Sequence, residues 1–456
     1  MAAIASRPPG PRNLPVIGNL HAFRSDPLGF LTRAARTYGD LVYFRVVHQH
    51  MYLVNHPDYV REILVTNQGN FVKSRALQRA KVLLGEGLLT SEGEHHLRQR
   101  RLVQPAFHRE RLAGYASAMS EGAVRWREGL QDGSTLDIST AMPHLTLSIV
   151  AKTLFSADIE SEAPEIGAAM TSILELFRVL LLPFSEYLDK LPLPSVRRFE
   201  KARGRLDATI YGLIRERRQS GADTGDLLSM LLLAQDEDDR MTDLQVRDEA
   251  LTLFLAGHET TANALTWTWY LLSQHPDVER RLHQEIDAVL GDRPPELGDV
   301  PELRYAEMIL AEALRLYPPA WAIGRKAVGP FTLGEFEIPA SSICIVSPYL
   351  VQHDARWFPE PEKFDPERWT PEAREARPKF SYFPFGGGAR VCIGERFAWM
   401  EGVIVLAAIA QKWRFRLEPG QHVEPRPLVT LRVKNGLRMT AERRVVAART
   451  THPTGT

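Results

Sequence analysis

The sequence predicts a mainly α-helical fold with small β-sheets, formed by one domain that spans residues 1–456. Apolar residues recur at helical spacing, with short breaks, over residues 109–219 and again over residues 242–274. Two short runs rich in β-branched and aromatic residues, 42–47 and 51–54, instead predict a pair of strands joined as a hairpin. No linker, repeat or low-complexity tract divides the chain, so these patterns favour a single large helical unit.

The composition is that of an ordinary globular protein and argues against several other classes. Lys plus Arg and Asp plus Glu number 56 each, so the formal net charge is zero, which argues against bulk nucleic-acid binding. The two cysteines, Cys344 and Cys392, cannot build a disulfide framework, which is typical of a reducing compartment. Residues 1–20 predict a Pro-rich extended arm and lack the apolar segment of a signal peptide or membrane span. We therefore expect a cytoplasmic monomer without a transmembrane anchor.

The outer parts of the chain carry weaker patterns. A short helix is predicted over residues 58–67, followed by an irregular, apolar connection over residues 71–90 that is long enough to serve in binding. The dipeptide Asn435-Gly436 indicates a type I′ hairpin turn. Residues 447–456 are predicted to form a loose tail.

Two helical segments allow two interpretations each from the residues alone. His96 and Arg100 lie four residues apart and share a helix face, which on its own is typical of a solvated basic helix. The run 173–182 is strongly apolar but too short to span a bilayer. It is either a core helix or an apolar lid that moves over a binding site.

The segment 242–274 predicts a long central helix whose middle contains residues that destabilise a buried helix. Thr242 and Gln245 form a capping box at its start, and the turns before residue 256 are apolar nearly all round. Gly257 weakens a helix interior by about 1 kcal/mol relative to alanine. Glu259 is a carboxylate that must find partners if it is buried. The residues alone favour a kink with a satisfied polar cluster.

The most specific stretch is Phe385-Gly-Gly-Gly-Ala-Arg390-Val-Cys392-Ile-Gly394. The glycines permit a tight turn and leave amide groups free to point at the sulfur, and a helix begins just after it. Both effects favour the thiolate, which is the form that binds metals. Arg390 suits a carboxylate, so the stretch favours haem with a cysteine ligand. An inert buried cysteine, a phosphate loop, a zinc site and a catalytic nucleophile are the alternatives.

These residues fit a known pattern. Phe385, Gly388, Arg390, Cys392 and Gly394 match F-x-x-G-x-R-x-C-x-G, and the chain thereby resembles the cytochrome P450 family. Three further family motifs occur in the same order: the segment from His96 to Arg100, the block 256–261, and the pair Glu312 and Arg315 with Arg368 downstream. The resemblance covers nearly the whole chain and implies the cytochrome P450 fold, with haem between the central helix and the cysteine-ligand helix.

The resemblance also implies a role for each motif residue. Cys392 is the axial ligand of haem b, and the propionate partners are His96, which replaces the family's tryptophan, Arg100, Arg325 and Arg390. Ala256 and Gly257 leave room for O₂, while Glu259 and Thr260 manage protons. Glu312, Arg315 and Arg368 form a structural triad. The candidate substrate pocket consists of Phe71, Leu88, Phe177, Phe254, Trp321, Ala322 and Ile323.

The function implied is a haem-thiolate monooxygenase that inserts one atom of O₂ into a lipophilic substrate, either a terpenoid or a fatty-acid-like molecule. Electrons come from a separate ferredoxin, flavodoxin or reductase, so NAD(P)H acts only indirectly. Arg396 and Lys412 are candidate docking residues for that partner. A peroxygenase driven by H₂O₂ and a non-catalytic haem sensor are the alternatives.

Overall fold

The computed structural model describes residues 7–159, 162–180, 193–236 and 239–445. Its architecture confirms the predicted mainly helical fold with small separate sheets. The α-helices are α1 (Leu20–Ser25), α2 (Pro27–Tyr38), α3 (Pro57–Arg61), α4 (Arg75–Arg79), α5 (Lys81–Leu84), α6 (Gly93–Val103), α7 (Arg109–Glu128), α8 (Ile138–Phe155), α9 (Ala163–Leu180), α10 (Pro194–Ser220), α11 (Leu227–Leu233), α12 (Asp243–Gln274), α13 (Pro276–Val289), α14 (Arg304–Leu316), α15 (Pro348–Gln352), α16 (Pro371–Glu375) and α17 (Glu395–Ala410).

The strands form one five-stranded sheet and several small ones. They are β1 (Leu41–Val46), β2 (Gln49–Val54), β3 (Phe71–Lys73), β4 (Thr135–Asp137), β5 (Gln235–Asp236), β6 (Asp239–Arg240), β7 (Ile323–Ala327), β8 (Phe331–Leu333), β9 (Phe336–Ile338), β10 (Ile343–Val346), β11 (Trp413–Leu417), β12 (Pro425–Pro427), β13 (Leu431–Val433) and β14 (Arg438–Arg443). The largest sheet has the order β1-β2-β10-β7-β3, in which only β2 and β10 run parallel. The predicted hairpin at the start of the chain is its β1–β2 edge.

The long helix α12 lies at the centre of the helical part. Its capping box is present, because Gln245 N–H donates to Thr242 Oγ1 at 3.2 Å and Thr242 N–H donates to Gln245 Oε1 at 2.8 Å. The helix packs against α8, α14 and α17, and most of its residues are buried. The main apolar core surrounds it, while two smaller clusters cover the faces of the five-stranded sheet.

The predicted helix over 58–67 is confirmed: α3 ends at Arg61, and the chain continues directly as a π-helical turn, Glu62–Thr66. Two other local predictions are wrong. The 71–90 segment is not irregular: it contains β3, α4 and α5, and β3 pairs with a strand more than 250 residues away. Asn435 and Gly436 do adopt positive φ, of 65° and 85°. However, they connect β13 and β14, which belong to different sheets rather than to one hairpin.

Within the described ranges, no helix is long and apolar enough to cross a membrane. The predicted tail over 447–456 lies outside the described residues.

Candidate functional site

The cysteine loop is closed by backbone geometry that only glycine allows. Cys392 N–H donates to Phe385 O at 3.0 Å, and Gly394 then caps α17. Gly388 has a φ of +68°, and a Cβ there would lie 1.9 Å from Leu64 O. The loop therefore rests against the Glu62–Thr66 turn at a distance that excludes any side chain.

Cys392 and the middle of α12 both border open space inside an otherwise packed region. Cys392 is exposed although its loop leads into the buried helix α17. On α12, Ala256 is exposed and Thr260 is half-buried, whereas the helix on both sides of them is mostly buried. Because α12 and α17 pack together, these two accessible stretches lie on neighbouring elements.

The metal-free cysteine does not favour the thiolate as the sequence predicted. Although part of its surface is accessible, Cys392 is surrounded by protein atoms, and this desolvation raises its pKa, with a smaller contribution from Glu395. The Gly394 amide and the positive charge of Arg100 lower the pKa, but by less. A bound metal deprotonates a coordinating thiol outright, so metal binding itself would supply the thiolate.

Five basic side chains lie close together beside this loop: Lys73, His96, Arg100, Arg325 and Arg390. The register of β3 and β7 sets Lys73 directly opposite Arg325, an arrangement of like charges that is destabilising in a sheet. Burial and then the charge of Arg390 lower the pKa of Lys73 to about 7, that of His96 to about 3 and that of Arg325 to about 10.

Carboxylates of the chain do not neutralise this group. Glu92 pairs with Arg390, while Arg100 and Arg325 have no ion-pair partner among the described residues. A ligand that carries two carboxylates, as haem does in its propionates, would offset the surplus positive charge. The residues present therefore fit the group that the sequence predicts.

Two of the arginines also fix the cysteine loop to α6. Arg100 Nη1 donates to Val391 O at 2.9 Å. Arg390 Nη1 donates to Ser91 O at 2.8 Å, and its other terminal nitrogen bonds Glu92. The sequence alone did not place Lys73 in this group, although its position in the short run Phe-Val-Lys was a signal that it pairs within a sheet.

The residues of the 256–261 motif on α12 differ in their surroundings: some are accessible and others are buried. Thr260 Oγ1 donates to Ala256 O at 2.8 Å and borders the open space. A Cβ on Gly257 would lie 3.3 Å from Val150 Cγ2, so this glycine serves the packing of α12 on α8. The Glu259 carboxylate is buried and accepts from Thr430 Oγ1 at 2.5 Å and from Arg432 Nε at 2.9 Å. Sequence reasoning missed Thr430 and Arg432.

The structure brings the three members of the predicted triad together. Arg315 donates twice to the Glu312 carboxylate, at 2.8 Å each, and Arg368 Nε lies 3.4 Å from Glu312 Oε1. Trp369, which replaces the family's phenylalanine, donates its indole N–H to Glu312 Oε2 at 2.9 Å. This bond was not foreseen.

Several candidate pocket residues pack in the core instead. Phe71 stacks edge-to-face on Phe331 at 5.0 Å between ring centroids, and Phe254 does so on Phe155 at 5.6 Å. Trp321 donates its indole N–H to Leu428 O at 3.0 Å and packs against the sheet. A role for these residues as pocket walls therefore stays a prediction.

The remaining pocket candidates differ in their surroundings. Leu88 is buried, and its amide donates to Glu249 Oε2 at 3.0 Å. Ile323 borders the cysteine loop, because its Cδ1 lies 3.6 Å from the position of a Gly386 Cβ. Ala322 is half-buried beside Trp321. The Phe177 side chain and the end of the predicted lid, 181–182, lie outside the described residues.

Three features together are typical of a haem-thiolate protein. They are a single cysteine in a glycine loop, a long helix with an accessible middle, and a surplus of buried cations. The family model described as Cytochrome P450 matches residues 8–438. The chain belongs to the cytochrome P450 family and is a monooxygenase.

Bacterial relatives match along almost the full length. A protein of Streptomyces melanosporofaciens called cyclooctatin synthase is 41% identical over 95% of both chains. Cyclooctat-9-en-7-ol 5-monooxygenase of the same organism is 38% identical over 90% of both. Pentalenene oxygenase of Streptomyces avermitilis is 37% identical over 94% of this chain and 96% of its own.

Proposed function

We propose that this cytochrome P450 inserts one oxygen atom of O₂ into a cyclic terpenoid, with electrons from a separate ferredoxin, flavodoxin or reductase. The observation that carries the proposal is the placement of Cys392 in the glycine loop beside a surplus of buried cations. When bound, haem supplies the iron that binds and activates O₂, and its thiolate ligand favours O–O cleavage.

The residues of the chain divide the work of binding. Cys392 ligates the iron, and His96, Arg100 and Arg325 hold the propionates. Burial keeps His96 neutral at physiological pH, so it donates one ring N–H to a carboxylate. Arg390 keeps the loop docked on α6 through Ser91 and Glu92 and adds positive charge.

The residues of α12 handle protons. The Thr260 hydroxyl stands at the open space and exchanges its bond to Ala256 O for one to O₂ or to a water beside it. Glu259 accepts protons from solvent and passes them on. An intact acid–alcohol pair favours O₂-driven turnover over the H₂O₂-driven alternative, which needs no such delivery.

The terpenoid assignment rests on the named relatives and on the charges near the pocket. The names of two relatives refer to an unsaturated cyclic alcohol, cyclooctat-9-en-7-ol, and to an unsaturated hydrocarbon, pentalenene. A fatty acid would require a free cation for its carboxylate. Lys73 instead donates to the carbonyls of Leu88 and Ser91, and Lys81 pairs with Glu86 at 2.7 Å.

The redox partner docks on the face that carries Arg396. This arginine is exposed at the start of α17, four residues after Cys392 in the sequence. Lys412, the other candidate, pairs with Asp292 at 2.9 Å, so we expect it to contribute less than Arg396 to docking the redox partner.

The alternative function is a non-catalytic sensor, which would bind haem without turning over substrate.

The first experiment tests the ligand. Ferrous protein with CO is expected to show the strongly red-shifted Soret band of a trans thiolate, and Cys392→His is expected to lose it. Cys344→Ala is the matched control, because Cys344 is buried in β10. An unchanged band in Cys392→His, or a lost band in the control, contradicts the assignment.

The second experiment tests activity and substrate class. With NADPH and a surrogate ferredoxin and reductase, the enzyme is expected to oxidise pentalenene or another cyclic terpene, whereas H₂O₂ alone is not expected to support this oxidation. Titration is expected to give the low-spin to high-spin Soret shift with these terpenes and a weaker one with palmitic acid. Turnover with H₂O₂ alone would indicate a peroxygenase, and binding without turnover would indicate a sensor.

A further inference from the structure

We propose that Trp399 is a one-electron donor to the haem, which protects the enzyme when oxygen is activated and no substrate is present to receive it. The inference rests on haem ligation by Cys392 and not on the identity of the substrate. A haem that is oxidised without a substrate oxidises the protein around it instead. Tryptophan and tyrosine are the aromatic side chains that lose an electron most readily, so their positions relative to the cysteine loop decide where this oxidation begins.

Oxidisable side chains are concentrated in one cluster beside the cysteine loop. The chain contains eight tryptophans. Three of them pack together with Tyr382 in an aromatic cluster around Phe358: Trp357, Trp369 and Trp399. The ring centroids of Trp369 and Tyr382 lie 4.3 Å apart. Trp399 is the member that reaches the loop, because its ring centroid lies 5.7 Å from that of Phe385.

Two short routes connect Trp399 to the proposed haem ligand. Phe385 O accepts the N–H of Cys392 at 3.0 Å, so the residue whose ring lies beside Trp399 is hydrogen-bonded to the ligand residue. In the other direction, α17 begins at Glu395, three residues after Cys392, and carries Trp399 in its second turn. The indole is thus connected to the ligand both through the loop and along the helix.

A proton acceptor distinguishes Trp399 from the nearby tyrosines. Loss of an electron makes an indole N–H or a phenol O–H strongly acidic, so a neighbouring base makes the oxidation easier. The side chain of Trp399 hydrogen-bonds the Glu395 carboxyl, and burial raises the pKa of that carboxyl, which makes it a better proton acceptor. Tyr115, whose ring packs on α17, has no partner for its hydroxyl among the described residues. Tyr382 donates to the carbonyl of Ala311, which is not a base.

The next tryptophan of the cluster is harder to oxidise. Arg377 lies 4.5 Å from the centroid of the Trp369 ring, and its charge disfavours a second positive charge on that ring. The Trp369 N–H donates to Glu312, but this carboxylate is already paired with Arg315 and therefore accepts a proton less readily. We therefore place the radical at Trp399, which is half-buried and so accessible to reductants in solution.

The electrons and protons of this step balance. Trp399 gives one electron to the haem and its indole proton to Glu395, which leaves a neutral indole radical. A soluble reductant, ascorbate or a thiol, returns the electron, and Glu395 returns the proton. For each molecule of H₂O₂, two such cycles take two electrons from the reductant, and both oxygen atoms leave as water with protons from the reductant and the solvent.

The test compares Trp399→Phe with Trp126→Phe in the haem-loaded protein without substrate. Trp126 is also half-buried, but it lies at the far end of α17, where its neighbour Arg127 donates to Ala408 O, so it is a control with the same chemistry. Rapid-freeze electron paramagnetic resonance after addition of H₂O₂ is expected to show a neutral tryptophan radical in the wild type and in the control. Trp399→Phe is expected to lose most of this signal.

Two further measurements follow the consequences of the radical. Without a reductant, peptide mass spectrometry of the wild type is expected to find added oxygen at Trp399. With ascorbate, the wild type and the control are expected to keep their haem absorbance longer than Trp399→Phe, in which the reductant has no route to the haem. Glu395→Gln keeps the indole but cannot take its proton, so it is expected to give less of the neutral radical than the wild type.

The Soret band of the CO-bound ferrous protein, recorded for each variant, keeps this inference separate from the ligation by Cys392. A variant with the thiolate band has its haem in place, so a lost radical signal does not come from lost haem. An unchanged radical signal in Trp399→Phe, equal loss of haem absorbance in Trp399→Phe and Trp126→Phe, or a radical on Tyr115 or Tyr382 in the wild type would overturn the proposal. A wild type without the thiolate band would overturn the ligation itself, and the role of Trp399 with it.

Discussion

Glu401 lies wholly inside the protein on α17, and neither of its carboxyl oxygens has a hydrogen-bond partner among the described residues. Burial raises the pKa of Glu401 to about 8. The hydroxyl of Thr261 opposes this shift but donates to Gly257 O, at 3.3 Å. The side chain is therefore a neutral acid at physiological pH.

This burial makes stability depend on pH in a predictable direction. The folded protein keeps the Glu401 proton up to about pH 8, whereas the ordinary pKa of a free glutamate side chain is 4.5. The folded state thus binds more protons in this window and loses stability as pH rises through it. Glu401→Gln stays neutral, so its melting temperature is expected to exceed that of the wild type at pH 9.

At pH 5 the side chain at position 401 is neutral in both folded proteins, so the difference in their melting temperatures should nearly vanish. Thermal melting followed by circular dichroism at both pH values measures it. If the difference in melting temperature between Glu401→Gln and the wild type is the same at pH 5 and pH 9, the Glu401 carboxyl is not the cause of the pH dependence.

At the scale of elements, the segment 85–91 is held between α12 and β3 by buried charged groups. Asp248 Oδ2 accepts from Glu86 N–H at 2.9 Å, and Glu249 Oε2 accepts from Leu88 N–H at 3.0 Å. On the other side, Lys73 Nζ donates to Leu88 O at 3.1 Å, to Ser91 O at 3.4 Å and to Leu89 O. Carboxylates of α12 thus bind the backbone amides of segment 85–91, and the lysine of β3 binds its backbone carbonyls.

Lys73→Met should loosen this segment, because methionine keeps the apolar stem but cannot donate to the three carbonyls. Loss of such bonds costs about 1–3 kcal/mol, so amide hydrogen exchange over residues 85–91 is expected to accelerate about tenfold or more. Exchange mass spectrometry of the haem-loaded protein measures this.

Lys81→Met is the matched control. Lys81 pairs with Glu86 of the same segment, but both side chains reach solvent, and exposed pairs contribute about 0–1 kcal/mol. Equal acceleration in the two variants would show that the buried bonds of Lys73 do not hold the segment.

The elements also show which parts of the fold a sequence reveals. The start of α12 and the turn of the cysteine loop were predictable, because a capping box and a glycine run act over a few residues. The 71–90 segment was not, since β3 pairs with β7 and Asp248 binds Glu86 from 162 residues away. For the same reason the partners of Glu259 in and next to β13 were missed, although the acid itself was recognised.

At the scale of the whole molecule, Glu312 and Arg315 connect the helical part to the segment that precedes the cysteine loop. Arg315 donates to Gln352 O, Pro361 O and Lys363 O at 2.7–3.1 Å. Gln352 in turn donates to Leu314 O and Arg315 O and accepts from Phe383 N–H, at 3.0–3.1 Å. Both members of the ion pair are fully buried. A defect at this pair therefore reaches the haem site through the backbone.

Removing the carboxylate should destabilise the entire fold. In Glu312→Ala, Arg315 and Arg368 lose their buried counter-charge, and breaking a buried ion pair from one side costs about 3–5 kcal/mol. The variant is expected to yield little haem-loaded protein and to melt well below the wild type, as followed by circular dichroism and by haem release. Trp369→Phe is the matched control, because it keeps an aromatic ring beside Glu312 and removes one hydrogen bond to a charged group, at a cost of about 1.5–3 kcal/mol. It should load haem normally and melt between the other two. If Glu312→Ala instead melts at or above the temperature of Trp369→Phe, the ion pair does not hold the two parts of the molecule together.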